Sequence, residues 1–316
     1  MSWRMPAAKS IRISYSLARR RIAIRMTNIA AETNCALRPR AEQTSVLRAA
    51  FRRSGSVTVL ANKYHTAPIK IAKAFPLEEG LGVIVMDVSP GLLNGDRYEL
   101  DWHAHKEANI WITNQSYTKV HPSRDDGGSS MLQCFSLEEN AVVEHMPEPL
   151  MLYQTSRFYN ETRVQLSPGA VWMQADILCP GRTLRQEVFK YRELHASLTV
   201  HYGDELIFAQ RQRIVPGQQR LASPGCWEEQ THWATFYVFS DRVSSSLLEP
   251  IQQLLEELPA FDKHRVLAGA TLTFRHGLAV SAASTAAWPL QQTMKLVWET
   301  VRFAMLGKKP VPLLQK

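Results

Sequence analysis

The segment Tyr98-Glu99-Leu100-Asp101-Trp102 alternates strictly between apolar and acidic side chains. Successive side chains of an extended strand point to opposite faces, so the three apolar residues share one face and the two acids share the other. This pattern is typical of a half-buried β-strand, whose apolar face packs against a core. The segment therefore predicts a strand at residues 97–105, and the fold is built outward from it.

Similar short runs, rich in β-branched and aromatic residues, follow one another from residue 46 to residue 240. Turn-forming residues separate them at 65–68, 90–95 and 122–130. No long helical pattern interrupts them, which argues against alternating βαβ units. The sequence predicts a mainly β fold, and the pattern alone does not choose between a sandwich, a barrel and a coiled β-structure. The other predicted strands are 57–64, 69–75, 82–89, 109–114, 131–137, 142–146, 150–166, 171–178, 184–202, 206–214 and 231–240.

Two amphipathic helices are predicted near the C-terminal end. Apolar side chains recur at helical spacing in residues 247–258 and 289–306. Ser246 and Glu249 have the spacing of a capping box at the start of the first helix, and Gly307 stands where a C-terminal cap is expected for the second. Between the helices, residues 270–274 and 278–282 predict a hairpin that turns at His276-Gly277.

The chain has 316 residues and a formal net charge of +8 at pH 7. Residues 1–31 contain seven basic residues and no acidic residue, so residues 32–316 carry a net charge of only +1. A nucleic-acid-binding domain is expected to carry a basic surface, so that class is disfavoured. We expect residues 1–40 to be a basic, disordered extension and residues 41–316 to be a single β-rich domain.

Three interpretations of the extension stay open: an Arg-rich targeting segment, a basic arm that contacts nucleic acid or membrane, and an extension upstream of a true start at Met26. No run of about 18 or more apolar residues predicts a membrane-spanning helix. Cys35, Cys134, Cys179 and Cys226 are far apart and form no CxxC pair. We therefore expect reduced, mostly buried thiols in a cytoplasmic protein.

Motifs of common enzyme classes are missing from the sequence: it has no GxSxG elbow, P-loop, dinucleotide-binding GxGxxG or HExxH zinc motif. Residues 91–96 are punctuated by Gly91 and Gly95, which favours a tight turn with positive φ at both glycines. His103 and His105 share one face of a predicted strand and could contribute to a metal site. Two ligands alone are a weak signal, and solvated strand histidines are more common.

Asp176 interrupts the apolar run at residues 171–178. Alternation places it on the same face as Trp172 and Gln174, where a carboxylate must be paired or hydrated. Two interpretations follow: a buried ion pair, for which Arg182 is the nearest candidate, or a water-filled passage lined by acids. The residues alone favour the ion pair.

Several motifs occur in an order and at a spacing that resemble the UreD/UreH family of urease accessory proteins. Each motif is weak by itself, but the ordered set is specific and covers roughly residues 46–306. The motifs are Tyr64-His65-Thr66-Ala67-Pro68-Ile69-Lys70 with Phe75-Pro76, Ser89-Pro90-Gly91-Leu92-Leu93-Asn94-Gly95-Asp96-Arg97-Tyr98, Thr113-Asn114-Gln115-Ser116-Tyr117-Thr118-Lys119-Val120-His121, Pro147-Glu148-Pro149, Ser156-Arg157-Phe158, and Asp176-Ile177-Leu178-Cys179-Pro180-Gly181-Arg182 with Glu187.

The resemblance implies a fold, a role and a set of partners. The implied fold is a right-handed helical, β-helix-like arrangement of many strands with a few helices. The implied role is that of a non-catalytic scaffold that delivers nickel to urease, with nickel only in transit through an internal tunnel and no cofactor stably bound. The implied partners are the urease apoprotein subunits, a helical UreF-type accessory protein and, through it, a UreG-type GTPase. From the charge and apolar pattern described above, we expect neither nucleic acid nor a membrane as a partner.

The resemblance also implies which residues lie near the tunnel. Asp96 matches the end of the family's glycine-glycine-aspartate turn, although Asn94 replaces the first glycine and leaves the turn type open. The other matched residues are Thr118 and Lys119, which match a hydroxyl-plus-lysine pair, and Asp176, Arg182 and Glu187. The alternative from the residues is a β-helical carbohydrate-active enzyme that uses Asp96, Asp176 and Glu187 as paired acid and base.

Overall fold

The computed structural model describes residues 43–78, 80–124 and 126–309, so the predicted extension at residues 1–40 and Cys35 lie outside the described residues. The described chain is mainly β, a β-solenoid-like stack of coils with two helices near the C-terminal end. Its strands are β1 Gln43–Ser54, β2 Val57–His65, β3 Ile69–Leu77, β4 Gly80–Asp87, β5 Asp96–Ala104, β6 Asn109–Asn114, β7 Thr118–Val120, β8 Ser129–Leu137, β9 Val142–His145, β10 Leu150–Leu152, β11 Arg157–Leu166, β12 Val171–Cys179, β13 Glu193–Tyr202, β14 Glu205–Ile214, β15 His232–Phe239, β16 Leu267–Leu272 and β17 Gly277–Ser284. The helices are α1 Leu248–Glu256 and α2 Ala287–Leu306, with 3-10 turns at Thr183–Arg185 and Ser245–Leu247.

The alternating segment at residues 98–102 lies in β5, as predicted. Tyr98, Leu100 and Trp102 are buried, whereas Asp101 is exposed. Each inward side chain therefore adds apolar area to the core while each outward acid keeps its hydration.

Consecutive coils of the chain stack through parallel strands. Strands β1, β5, β8, β11 and β13 lie side by side in one sheet, and β4, β6, β9 and β12 lie side by side in a second sheet. Antiparallel strands complete both sheets: β2 and β14 flank the first, and β3, β15, β17 and β16 extend the second. One coil thus contributes one strand to each sheet. Of the three alternatives left open by the sequence, a sandwich, a barrel and a coiled β-structure, the structure is the coiled one.

A short third side closes the coils. Strands β7 and β10 pair in parallel, with Leu150 opposite Thr118, and β10 also pairs with β12. The predicted strand at 150–166 is thus two strands, β10 and β11, in different sheets. Neither β1 nor β7 is among the predicted strands. β7 has only three residues, which is too short to show alternation.

The core divides into two clusters on the two faces of the second sheet. The larger cluster lies between the sheets, where the rings of Phe51, Trp102, Phe135 and Trp172 follow one another. The smaller cluster lies on the other face, where α1 and α2 cover the second sheet with Ile251, Leu290, Val297 and Trp298, among others. The second sheet is therefore buried on both faces.

A buried polar contact holds α2 to the second sheet. Glu144 of β9, which is only 1% exposed, accepts a hydrogen bond from the indole nitrogen of Trp298 at 2.7 Å and from the guanidinium of Arg302. A buried carboxylate needs such partners because its desolvation is costly. The Glu144–Arg302 pair joins residues that are far apart in the sequence and fixes where α2 lies.

Several details of the C-terminal region differ from the predictions. The predicted strand at 184–202 begins only at Glu193, because a 3-10 turn and irregular chain precede it. The predicted capping box is wrong: the Ser246 hydroxyl contacts that of Ser244 and does not cap the helix. The hairpin and the second helix are confirmed, and Gly307 ends α2 with φ 66°. No helix of the described ranges has the length and apolar character needed to cross a membrane.

Candidate functional site

A cavity of about 210 Å³ lies between the two sheets and reaches the short third side of the coils. It can hold several water molecules. Its walls combine apolar core residues with polar side chains that point inward from both sheets. The polar lining includes Thr113, Asn114, Thr118, Lys119, Gln133, His145, Glu148, Asn160, Thr162, Gln174, Asp176, Gln210, Gln212, Thr235 and Tyr237.

Three side chains form a hydrogen-bonded row in this cavity. Gln174 of β12 accepts a hydrogen bond at Oε1 from Nδ1 of His145, at 2.8 Å, and donates from Nε2 to Oδ2 of Asp176, at 2.6 Å. His145 and Gln174 are pairing partners across β9 and β12, and Asp176 follows Gln174 on the same face of its strand. The register of the parallel sheet therefore creates the row.

The cavity changes the acid–base properties of its walls. Removal from solvent raises the pKa of Asp176 to about 6, although the hydrogen bond from Gln174 opposes this rise. Burial lowers the pKa of His145 to about 4, so its imidazole is neutral at pH 7. Burial and the charge of Asp176 raise the pKa of Tyr237 to about 12. At neutral pH the row therefore holds one negative charge, on Asp176.

A second carboxylate of the cavity lining, Glu148, contacts helix α2. Glu148 accepts a hydrogen bond from Gln291 of α2 at 3.1 Å, and Gln291 also accepts one from Tyr117 at 3.3 Å. Burial raises the pKa of Glu148. Exposed residues, among them Gln115 and Ser116, line this part of the cavity, so the cavity reaches the protein surface here.

The predicted site residues fall into two groups. Thr118, Lys119 and Asp176 line the cavity. Asp96, Arg182 and Glu187 are not among the residues that line it. The structure thus brings three of the six together around one space and places the other three outside it.

Asp96 shapes the turn that precedes β5. Its Oδ2 accepts a hydrogen bond from the backbone N–H of Leu93 at 2.8 Å, and Gly91 and Gly95 have φ values of 130° and 91°, as predicted for a tight turn. Asn94 has no positive φ; its Oδ1 instead accepts a hydrogen bond from the N–H of Arg124 at 3.3 Å. The tight turn at residues 91–96 therefore forms with asparagine at position 94.

Arg182 pairs with Glu187 and not with Asp176. Its Nε donates to Glu187 Oε2 at 2.8 Å, and its guanidinium lies 4.1 Å from the ring centre of Tyr153. These bonds lower the pKa of Glu187, which also accepts a hydrogen bond from the N–H of Gln154. The predicted ion pair between Asp176 and Arg182 is therefore wrong. Asp176 instead accepts a hydrogen bond from the side-chain amide of Gln174.

Comparison with known proteins matches residues 43–315 to the family model of the UreD urease accessory protein. The chain belongs to the UreD family. It is similar to the urease accessory protein UreD of Acetivibrio thermocellus, with 30% identity over 246 residues that cover 77% of this chain and 92% of that protein. It is also similar to the urease accessory protein UreH of Helicobacter hepaticus, with 28% identity over 66% of this chain and 82% of that protein. The UreD of Haloarcula marismortui is 28% identical, over 84% of this chain and 88% of that protein.

In this UreD-family chain the cavity is rich in oxygen and amide groups. Its ligand atoms are carboxylates, hydroxyls and side-chain amides, with His145 as the one imidazole among the described lining residues. Within that same lining no cysteine occurs. Cys179 is buried and burial raises the pKa of its thiol to about 12, Cys134 is half-buried, and Cys226 is exposed. The expectation of buried thiols is therefore correct for Cys179, correct in part for Cys134 and wrong for Cys226.

Sequence reasoning missed three polar residues of the UreD-family cavity: His145, Gln174 and Glu148. Gln174 had a usable signal, since it shares a face with Asp176 in an otherwise apolar strand. Glu148 lies in the Pro147-Glu148-Pro149 motif, but the sequence analysis assigned it no role. For His145 the spacing gives no signal, because only the parallel pairing of β9 with β12 brings it to Gln174.

Proposed function

We propose that this chain is a non-catalytic scaffold of urease maturation that docks on apo-urease and on a UreF-type helical accessory protein, and through the latter on a UreG-type GTPase. In this proposal nickel passes through the cavity between the two sheets on its way to the urease active site. The chain keeps no cofactor of its own, and it works in the cytoplasm. Membership of a family named for urease accessory proteins supports the docking role.

The observation that carries the nickel route is the polar cavity with Asp176 in its wall. Ni²⁺ enters a protein as a hydrated dication, and its charge is costly to desolvate. A space that holds several waters beside carboxylate side chains lowers this cost. The cavity wall thus offers the ion hydration together with the carboxylates of Asp87, Glu148 and Asp176.

The choice of ligand atoms decides whether an ion stops or moves on. Carboxylates, hydroxyls and amides bind Ni²⁺ weakly, whereas thiolates and clustered imidazoles hold it firmly. The lining offers the first kind, with Thr118 and Asp176 as oxygen donors and Lys119 as a positive charge that opposes a long stay. In this proposal the ion binds these groups only weakly, so it passes along the route and is not retained.

The carbohydrate-active alternative receives no support from the same geometry. It needs two carboxylates that face one substrate, about 5–10 Å apart. Of its three candidates, Asp176 lines the cavity, Asp96 caps the backbone of Leu93, and Glu187 is bound by Arg182. The arrangement therefore separates the acids that this alternative would combine.

The docking role is tested by co-purification. The tagged full-length chain is expressed with urease subunits and the helical accessory protein, and the captured complex is then supplied with the GTPase, GTP and Ni²⁺. We expect the chain to retain both proteins and to raise the nickel content of urease. Failure to capture either protein, with all components soluble, would contradict the proposal.

A further inference from the structure

His103 and His105 meet a carboxylate from the next coil of the chain. Glu138 Oε1 lies 2.9 Å from Nε2 of His103 and 2.9 Å from Nδ1 of His105, and the two imidazole rings are 4.3 Å apart between centres. His103 lies on the outer face of β5, opposite to the inward side chain of Trp102. The cluster is thus on the outside of the first sheet and separate from the cavity.

Backbone contacts hold the carboxylate in place. Two stacked turns join the first and second sheets here, one at residues 105–108 and one at residues 138–141. Glu138 Oε2 accepts the N–H of Lys106 at 2.9 Å, the N–H of Glu138 donates to the carbonyl of Ala104 at 2.9 Å, and the N–H of Glu107 donates to the carbonyl of Glu139 at 3.0 Å. One oxygen of Glu138 is therefore fixed by the backbone while the other faces both histidines.

We propose that His103, His105 and Glu138 form a surface site for a divalent transition-metal ion of the Ni²⁺, Zn²⁺ or Cu²⁺ class. One ligand atom from each of the three residues lies within 4.8 Å of the others, the sole such group of three among the described His, Cys, Asp and Glu residues. Water completes the coordination of the ion. This site is independent of the proposed function, since its ligands do not line the cavity.

The distances suit a metal after a small adjustment. Bonds of about 2.0–2.2 Å to nitrogen and oxygen place neighbouring ligand atoms roughly 3.0–3.5 Å apart in octahedral or tetrahedral coordination. The two 2.9 Å contacts need to open by only a few tenths of an ångström, which a rotation of the Glu138 carboxylate provides. On binding, Nε2 of His103 and Nδ1 of His105 present lone pairs to the ion, and the ring protons move to the other nitrogens.

Access and charge also suit a cation. The side chains of His103, His105 and Glu138 are 42–43% exposed, so an ion reaches them from solvent. Glu107 and Glu139 flank the cluster, where Lys106 pairs with Glu139 at 2.6 Å and Arg53 lies 3.8 Å from Glu107. The charges within each flanking pair cancel. Glu138 therefore supplies the net negative charge next to the proposed ion.

The ligand set selects among metals. Two imidazoles with one carboxylate favour Ni²⁺, Zn²⁺ and Cu²⁺, whereas Mg²⁺ and Ca²⁺ prefer sites made of oxygen alone. We therefore expect Ni²⁺ and Zn²⁺ to compete for one site and Mg²⁺ not to displace them. The competing explanation is a hydrogen-bonded cluster that only joins the two turns.

The test measures binding of Ni²⁺ and Zn²⁺ to the purified full-length chain by titration against a coloured chelator. The variants His105→Gln and Glu138→Gln keep hydrogen-bonding side chains but remove a ligand. We expect each variant to lose at least ten-fold in affinity for one bound ion. X-ray absorption of the bound Ni²⁺ is expected to show two imidazoles in the wild type and one in His105→Gln.

A matched control is His195→Gln. His195 lies 2.7 Å from Glu193, and its side chain is 38% exposed, but Arg213 already pairs with that carboxylate at 2.8 Å. This variant should bind both metals like the wild type. Equal affinity in the wild type and His105→Gln, or an absorption spectrum without two imidazoles, would overturn the proposal and leave the cluster as a join between turns.

Discussion

Gln174 donates a hydrogen bond from Nε2 to Oδ2 of Asp176 at 2.6 Å. An ionised carboxylate only accepts hydrogen bonds, so this contact decides which end of the Gln174 amide faces Asp176. The carbonyl end then faces His145, whose Nδ1 must carry the proton of the 2.8 Å bond. The charge of Asp176 thus sets the tautomer of His145 through one intervening side chain.

The raised pKa of Asp176 makes stability depend on pH. The pKa is about 6 in the folded chain against 3.8 as the ordinary value, so the folded chain holds this proton more tightly than the unfolded chain. The contribution of Asp176 to the free energy of unfolding therefore falls as pH rises from about 4 to about 6. Asp176→Asn should raise the free energy of unfolding by about 1–3 kcal/mol above pH 7, at about 1.4 kcal/mol per pKa unit.

Urea denaturation of wild type and Asp176→Asn at several pH values measures this difference. His145, with its pKa lowered to about 4, shifts stability in the opposite direction in both proteins, so the difference between them reports on Asp176. Asp101→Asn, on the exposed face of β5, serves as the control and should follow the wild type. A stability gain that is the same at pH 4 and pH 8 would contradict the assignment.

Arg182 should stabilise the chain by satisfying Glu187. Glu187 is only 7% exposed, so Arg182→Met leaves a buried carboxylate without its cation. Because Arg182 itself is partly exposed, we expect a measurable loss in the free energy of unfolding that is smaller than for a fully buried pair. Chemical denaturation measures it, with Arg163→Met as the control for an exposed pair, where about 0.5 kcal/mol or less is expected. Equal losses in both variants would count against a special role for Glu187.

The buried Glu144 should make α2 sensitive to Arg302. Arg302→Met removes the cation from a carboxylate that is 1% exposed, and we expect a loss of about 3–5 kcal/mol in the free energy of unfolding. Glu144→Gln together with Arg302→Met should cost less than Arg302→Met alone, since no charge remains buried. Lys295→Met, from a weaker pair with Glu299 at 3.9 Å, is the control and should cost under about 1 kcal/mol. If the double variant is the less stable one, the charge argument fails.

The predictable part of the fold is what the local pattern encodes. Alternation at Tyr98, Leu100 and Trp102 identified β5 and its buried face, and helical spacing identified α1 and α2. The capping box failed because a 3-10 turn at Ser245–Leu247 precedes α1 and occupies the place where a capping side chain would lie. The local sequence pattern therefore predicted the type of these elements better than the residues at which they begin and end.

The site depended on contacts that the sequence does not display. Alternation correctly placed Asp176 beside Gln174, but it did not show that Gln174, and not Arg182, supplies the partner. Glu138 stands more than thirty positions from His103 and His105, and only the stacking of two coils brings them together. Both contacts follow from the parallel register, which no local pattern specifies.

Thr118 lines the cavity beside Lys119, so its replacement by a longer cation should obstruct the proposed nickel route. Thr118→Lys adds bulk and positive charge where a dication would pass, and we expect the nickel content of urease to fall several-fold while the complex still assembles. Thr271→Lys, on exposed β16, is the matched control and should leave nickel loading unchanged. Normal loading with Thr118→Lys would remove Thr118 from the route.

The most direct measurement is the nickel content of apo-urease after incubation with the accessory complex, GTP and Ni²⁺, compared between Asp176→Leu and Asp101→Leu. Both variants remove one carboxylate, but only Asp176 lines the cavity. We predict that both variants assemble the complex and that urease loaded through Asp176→Leu carries several-fold less nickel. Equal nickel content with the two variants would contradict passage of the ion through this cavity.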